Sequence, residues 1–163
     1  MTGALLTTLT ALAILFAWML WPRPLSAVLD GNQTVCMSVL TDSVETDEEA
    51  HIARPNQEME YYDVPPGSPE GAAINEILSR YSYHYCWDTL TGKTSIDHSG
   101  SEGVSVFLWE ADTPRRELDV FGVSRCFIGE ISGSGTRICR IGYFGDGRAR
   151  ALTRELAEVF QGK

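Results

Sequence analysis

Glu110 closes an apolar run, "VSVFLWE", and two arginines, Arg115 and Arg116, follow within six residues. A carboxylate near a guanidinium is the pair that general-base attack at a phosphate requires. The carboxylate takes a proton from the nucleophile, and the guanidinium meets the charge that grows on the non-bridging oxygens. Alternation along the run puts Val104, Val106, Leu108 and Glu110 on one strand face and Phe107 and Trp109 on the other. Glu110 is then held at the rim of a sheet, where screening by Leu108 and Trp109 raises its affinity for a proton. The plainer reading is a solvated Glu at a strand end, with the arginines paired to Asp112 or Glu117. His84, between Tyr83 and Tyr85, is a third titratable candidate. His51 and His98 lie in polar stretches.

These residues need elements to position them. "QTVCMSVLTD", residues 33–42, alternates and is β-branched, which predicts a strand. Residues 43–67 are acidic, show no sustained period and end in Pro and Gly, which predicts a long acidic loop, disordered in part. A helix starts near Pro69, with Ser68 as N-cap and an apolar face through Ala73, Ile74, Ile77, Leu78 and Tyr81. "YSYHYCWD" reads as an aromatic strand and residues 89–103 as a polar loop. "VSVFLWEA", "ELDVFGV", "SRCFIGEI" and "TRICRIGYF" read as further strands, the last two joined at "SGSG". "RARALTRELAEVF" closes as an amphipathic helix through Ala151, Leu152, Leu156, Val159 and Phe160. The fold class is α+β: an antiparallel four- to five-stranded sheet with a preceding helix and an extra C-terminal helix.

The chain has 163 residues, enough for one ordinary domain. Its start differs from the rest. Residues 3–21 carry no charge and "PRPLSA" follows. This reads as a secretory signal peptide, residues 1–27, cut after Ala27, with a single secreted domain over 28–163. Two features depart from the usual pattern: no Lys or Arg precedes the apolar run, and Leu25 stands where a small residue is usual. The alternative is an uncleaved membrane anchor, since the run is nearly long enough to span a bilayer.

Beyond Ala27 the chain carries 12 Lys and Arg against 22 Asp and Glu, a net charge of −10. That surplus repels bulk nucleic acid and argues against a protein that coats RNA. An even set of four cysteines behind a signal peptide predicts two disulfides. Their spacing suggests no metal site, and no cofactor is expected. "NQT", from Asn32, is a glycosylation sequon.

From Gln33 to Arg140 the chain resembles the fungal ribonuclease family that includes ribonuclease T1 and the ribotoxins. "TVC" resembles the family's first cysteine strand, and "YCWD" with its loop resembles the ribotoxin loop cysteine. "VFLWEADTP" resembles the strand with the catalytic Glu, and "PRRELDVF" the strand with the phosphate-binding Arg. "RCFIGEISGSGTRIC" resembles the last hairpin. The resemblance implies Glu110 as general base, Arg116 (or Arg115) at the phosphate and His84 as helper. It implies disulfides Cys36–Cys139 and Cys86–Cys126, where the bland pairing is Cys126–Cys139 with Cys36–Cys86.

The family's general-acid His has no counterpart in "FIGEISG", where Glu130 and Ser132 are the nearest polar residues, and the C-terminal helix is an addition. The expected function is a secreted fungal protein on a ribonuclease-like scaffold with a degenerate site. It would be a monomeric, host-directed effector meeting a host protein or RNA. The alternatives are an active guanine-preferring endoribonuclease leaving a 2′,3′-cyclic phosphate, and a membrane-anchored extracytoplasmic protein.

Overall fold

The computed structural model describes residues 2–27, 34–47, 52–93, 95–96, 103–110, 113–122, 125–129 and 137–160. In chain order these form α1 (Thr2–Leu20), β1 (Arg23–Pro24), a 3-10 turn (Leu25–Ala27), β2 (Thr34–Asp47), β3 (Ile52–Asp63), α2 (Pro69–Ser79), β4 (Ser82–Tyr85), α3 (Trp87–Thr91), β5 (Gly103–Glu110), β6 (Thr113–Phe121), β7 (Arg125–Gly129), β8 (Arg137–Ile141) and α4 (Gly147–Glu158). The strands make one sheet in the order β1-β4-β8-β7-β6-β5-β2-β3, with antiparallel neighbours throughout.

Both expected helices form, for the reasons the sequence offers. The Ser68 hydroxyl accepts from the Gly71 N–H at 3.1 Å, and Pro69 opens α2. The inward face of α2, with Ile74, Ile77 and Leu78, meets Ala149, Leu152 and Leu156 of α4 over Leu118, Val120, Cys126, Cys139 and Ile141 of the sheet. Strand alternation selects those sheet residues, since Leu118 and Val120 share one face of β6. The Tyr81 hydroxyl donates to Glu155 at 2.8 Å, and Arg80 pairs with the same carboxylate at 3.0 Å, tying the end of α2 to α4. Burial, then that hydrogen bond, pushes the Tyr81 hydroxyl up to about 12.

The α+β class with an antiparallel sheet stands, but the sheet is wider than expected, with eight strands among the described residues. Within the span 43–67, residues 43–47 and 52–63 are strand and not loop. These are the far part of β2 and all of β3, paired from Cys36↔Asp63 to Asp47↔Ile52. Its acidity hid the strands. β3 is an edge, where charges are tolerated and blunt unwanted pairing, and where Pro55 can sit without a ladder N–H. The register also sets Arg54, the only base in the segment, opposite Glu45. The aromatic stretch predicted as one strand divides into β4 and the single turn of α3. There Thr89 accepts the Cys86 N–H at 3.0 Å, and Gly92 (φ 65°) ends the turn.

The disulfides are a second correction, because all four cysteines are free thiols. Cys36 on β2 lies four ladder steps from Cys139 on β8, about 19 Å at ~4.8 Å a step. A bridge needs Cα atoms about 4.4–6.8 Å apart. Cys86 follows Tyr85, which pairs with Cys139, which pairs with Cys126. Two ladder steps, about 10 Å, therefore separate Cys86 from Cys126. Sheet order forbids both expected bridges. Cys126 and Cys139 do face each other, as small buried apolar groups. Denatured, unreduced protein should therefore titrate four thiols. In the native state Cys36 should react first, being the one outside the buried set; a count of two would contradict this.

Candidate functional site

Glu110 ends β5, opposite Thr113, and Arg116 on the adjacent β6 takes the position opposite Leu108. Arg115 falls at an irregularity in that ladder, between the paired positions Pro114 and Arg116. The backbone thus brings Glu110 and Arg116 onto neighbouring strands, two positions apart. His84 does not join them. Its row runs through Arg140 and Arg125 and continues to the Phe121–Gly103 end of the sheet. Gly103 is the far end of β5 from Glu110. Four ladder steps across and seven residues along come to about 30 Å. His51, His98, Glu130, Ser132, Asp112 and Asn32 lie outside the described residues.

His84 is instead a core residue of the sheet, 4% exposed, with its ring stacked on Tyr143 at 4.7 Å. Burial lowers its affinity for a proton, and Arg140, Arg125 and Arg23 lower it further. Arg125 also pairs with Asp88 at 2.8 Å. A histidine held below its unfolded value of about 6.5 contributes stability above that pH and loses it as pH falls through the folded value. The unfolding midpoint should therefore drop on acidification from about pH 7 toward 5. His84→Phe, which keeps a ring against Tyr143, should flatten that slope; an unchanged slope would assign it to other groups.

A cluster of specific side-chain contacts lies where α1 meets β4. The Arg23 guanidinium stands over the rings of Tyr85 (3.9 Å) and Trp18 (5.4 Å), which themselves lie 4.8 Å apart. It donates to the carbonyls of Trp21 (3.0 Å) and Trp18 (3.1 Å), and the Tyr143 hydroxyl donates to that of Leu20 (3.1 Å). A helix leaves its last carbonyls without partners, and a cation is favoured there. Arg23 and Tyr143 supply both needs for α1.

The chain then enters the fold directly. Arg23 and Pro24 pair with Tyr83 and Ser82 of β4, and the Leu25 N–H donates to the Tyr81 carbonyl at 3.1 Å. The Leu25 side chain is fully buried in the main core, beside α2. Sequence reasoning passed over Arg23, Trp18 and Tyr143. The available signal was Leu25 itself, a large residue at a position where a cleavage site prefers a small one.

From Ala4 to Trp18 every residue of α1 is exposed, including Leu5, Leu6, Leu9, Leu12, Ile14, Leu15 and Phe16. Among the described side chains of α1 only Met19, at the docked end, is buried. Among the described residues no helix is long and apolar enough to cross a membrane, and no group of three or more His, Cys, Asp or Glu side chains could hold a metal ion. Compared with protein families, with curated proteins and with solved structures, the chain has no significant match in any of the three.

Proposed function

We propose that this is a membrane-anchored protein: α1 stays attached and inserts in a lipid bilayer, and the acidic α+β domain works at the bilayer surface. One observation carries the reading. Residues 23–25, which a cut after Ala27 would remove, are an edge strand and a core side chain of the folded domain. The character of α1 supports it. A helix apolar on every face belongs in the core of a large protein or in lipid, and here the domain covers only its last turn. Its 19 residues rise about 28 Å, short of the ~30 Å of a hydrocarbon core, so α1 enters the apolar layer without crossing it. The sequence carries no charged side chain before Arg23. The body beyond Ala27, at −10, is repelled by anionic headgroups, so association falls to the helix.

Fractionation of cells producing the full chain tests this. The protein should stay in the membrane pellet through extraction at high pH; recovery in the soluble fraction would refute the anchor. The ribonuclease reading keeps one observation in its favour, the neighbouring placement of Glu110 and Arg116. If it holds, the protein cleaves a guanosine-containing dinucleotide, and Glu110→Gln lowers the rate on the order of a hundredfold or more. Equal cleavage by the variant would sink it.

A further inference from the structure

We propose that the turn bearing Tyr143 and Phe144, together with Trp21, sits in the interfacial layer of the bilayer that receives α1, so that the domain is clamped to the lipid surface instead of swinging on a tether. This rests on the anchor reading above and adds a lipid-contacting surface on the domain itself. Phe144 is 93% exposed and Trp21 68%, and Tyr143 is half exposed. Large rings left in water at one place mark an interaction surface. Trp and Tyr, apolar with a polar edge, concentrate at the membrane–water boundary.

What covers these rings follows from their attachment to α1. Trp21 is the residue after the helix. The Tyr143 hydroxyl is bonded to the Leu20 carbonyl, and its ring is held from behind by His84. Phe144 is its neighbour in the chain. All three therefore lie at the level where α1 leaves the apolar layer. Arg23 occupies the same level with its charge on the helix-end carbonyls, as suits a cation at the headgroups.

The turn is fixed by its backbone. Gly142 (φ 76°) and Gly145 (φ 60°) flank the two aromatics in the left-handed region that favours glycine. A Cβ at Gly142 would also meet the Arg148 Cβ at 3.0 Å. The sequence thus specifies a turn that leaves Phe144 out of the core.

The test places a photoreactive benzoylphenylalanine singly at position 9, 144 or 158 of the full chain. The protein is reconstituted in vesicles of phosphatidylcholine and phosphatidylglycerol, irradiated and weighed for lipid adducts. Position 9 reports α1. Position 158 ends α4, some 18 Å along that helix, and serves as the control. The proposal expects adducts at 9 and 144 and none at 158. An adduct at 9 without one at 144 overturns the clamp and leaves the anchor standing. No adduct at 9 overturns the anchor reading itself. Equal adducts at 144 and 158 also overturn the clamp, since the domain would then touch lipid without a defined face. Phe144 is almost wholly exposed, so the replacement there leaves the core intact.

Discussion

Leu25→Ala will destabilise the folded domain by about 3–5 kcal/mol, the cost of emptying a fully buried leucine site that cannot collapse. That is a large part of the ~5–15 kcal/mol that holds an ordinary domain together. The site is closed on several sides: Leu25 lies in one core cluster with Ile74, Ile77, Leu78, Tyr81 and Leu156. Its N–H is bonded to Tyr81 and the two residues before it are paired to β4, so the backbone cannot shift far to fill the space. Denaturant titration of the full chain in a nonionic detergent, followed by near-ultraviolet circular dichroism, reads the effect. Ser26→Ala, at a half-exposed neighbour, should move the midpoint little. A chain begun at Val28 should lose at least as much stability as Leu25→Ala. If Leu25→Ala and the shortened chain both unfold with the parent, residues before Val28 are dispensable and the signal-peptide reading is favoured over the anchor.

Lysines at Leu9 and Leu12 should abolish membrane association without touching the fold. Each lysine near the centre of an inserted helix costs about 2.5–3.5 kcal/mol on insertion scales. Two cost about 5–7, a shift of roughly four orders of magnitude in partition. Both leucines are exposed and lie away from the docked end of α1, so the domain's circular dichroism and thermal midpoint should stay as they are. The doubly substituted chain should move to the soluble fraction at high-pH extraction. Retention in the pellet would mean that another surface, or a protein partner, holds the chain at the membrane.

How much of this was legible in the sequence depended on the range of the interaction that decides each element. α2 and α4 are set locally, by a Ser68 cap, a proline in the first turn and apolar residues at helical spacing, and both form about where the sequence puts them. β5 to β8 are short β-branched or aromatic runs bounded by turn residues, and they too were readable. β3 was not. Its residues look solvated on their own, and only the ladder to β2 makes them a strand. α3 is five residues long, too short to show a period, and is held by a cap and by the Asp88–Arg125 pair with β7.

The cysteines teach the same point. An even count suggests pairing, but which thiols meet is a property of sheet order, and the order puts Cys36 four strands from Cys139. For the site, Glu110 and Arg116 are near in sequence and near in space because one hairpin joins them. His84 is distant in sequence and lands about 30 Å away. The contacts at the end of α1 were hidden because a leader reading discards residues 1–27 before their partners, Tyr81, Tyr85 and Tyr143, can be considered.

The central claim is that residues 23–25 belong to the folded protein and that α1 remains attached. The direct measurement is the intact mass of the protein recovered from the cells that make it, with the sequence of its first residues. Retention predicts a species in the membrane fraction that still carries residues 1–27 ahead of Val28, so that its mass includes the whole 18.0 kDa of these 163 residues. A soluble, folded species that begins at Val28 would contradict the account, because that protein would stand without the strand and the core leucine on which the claim depends.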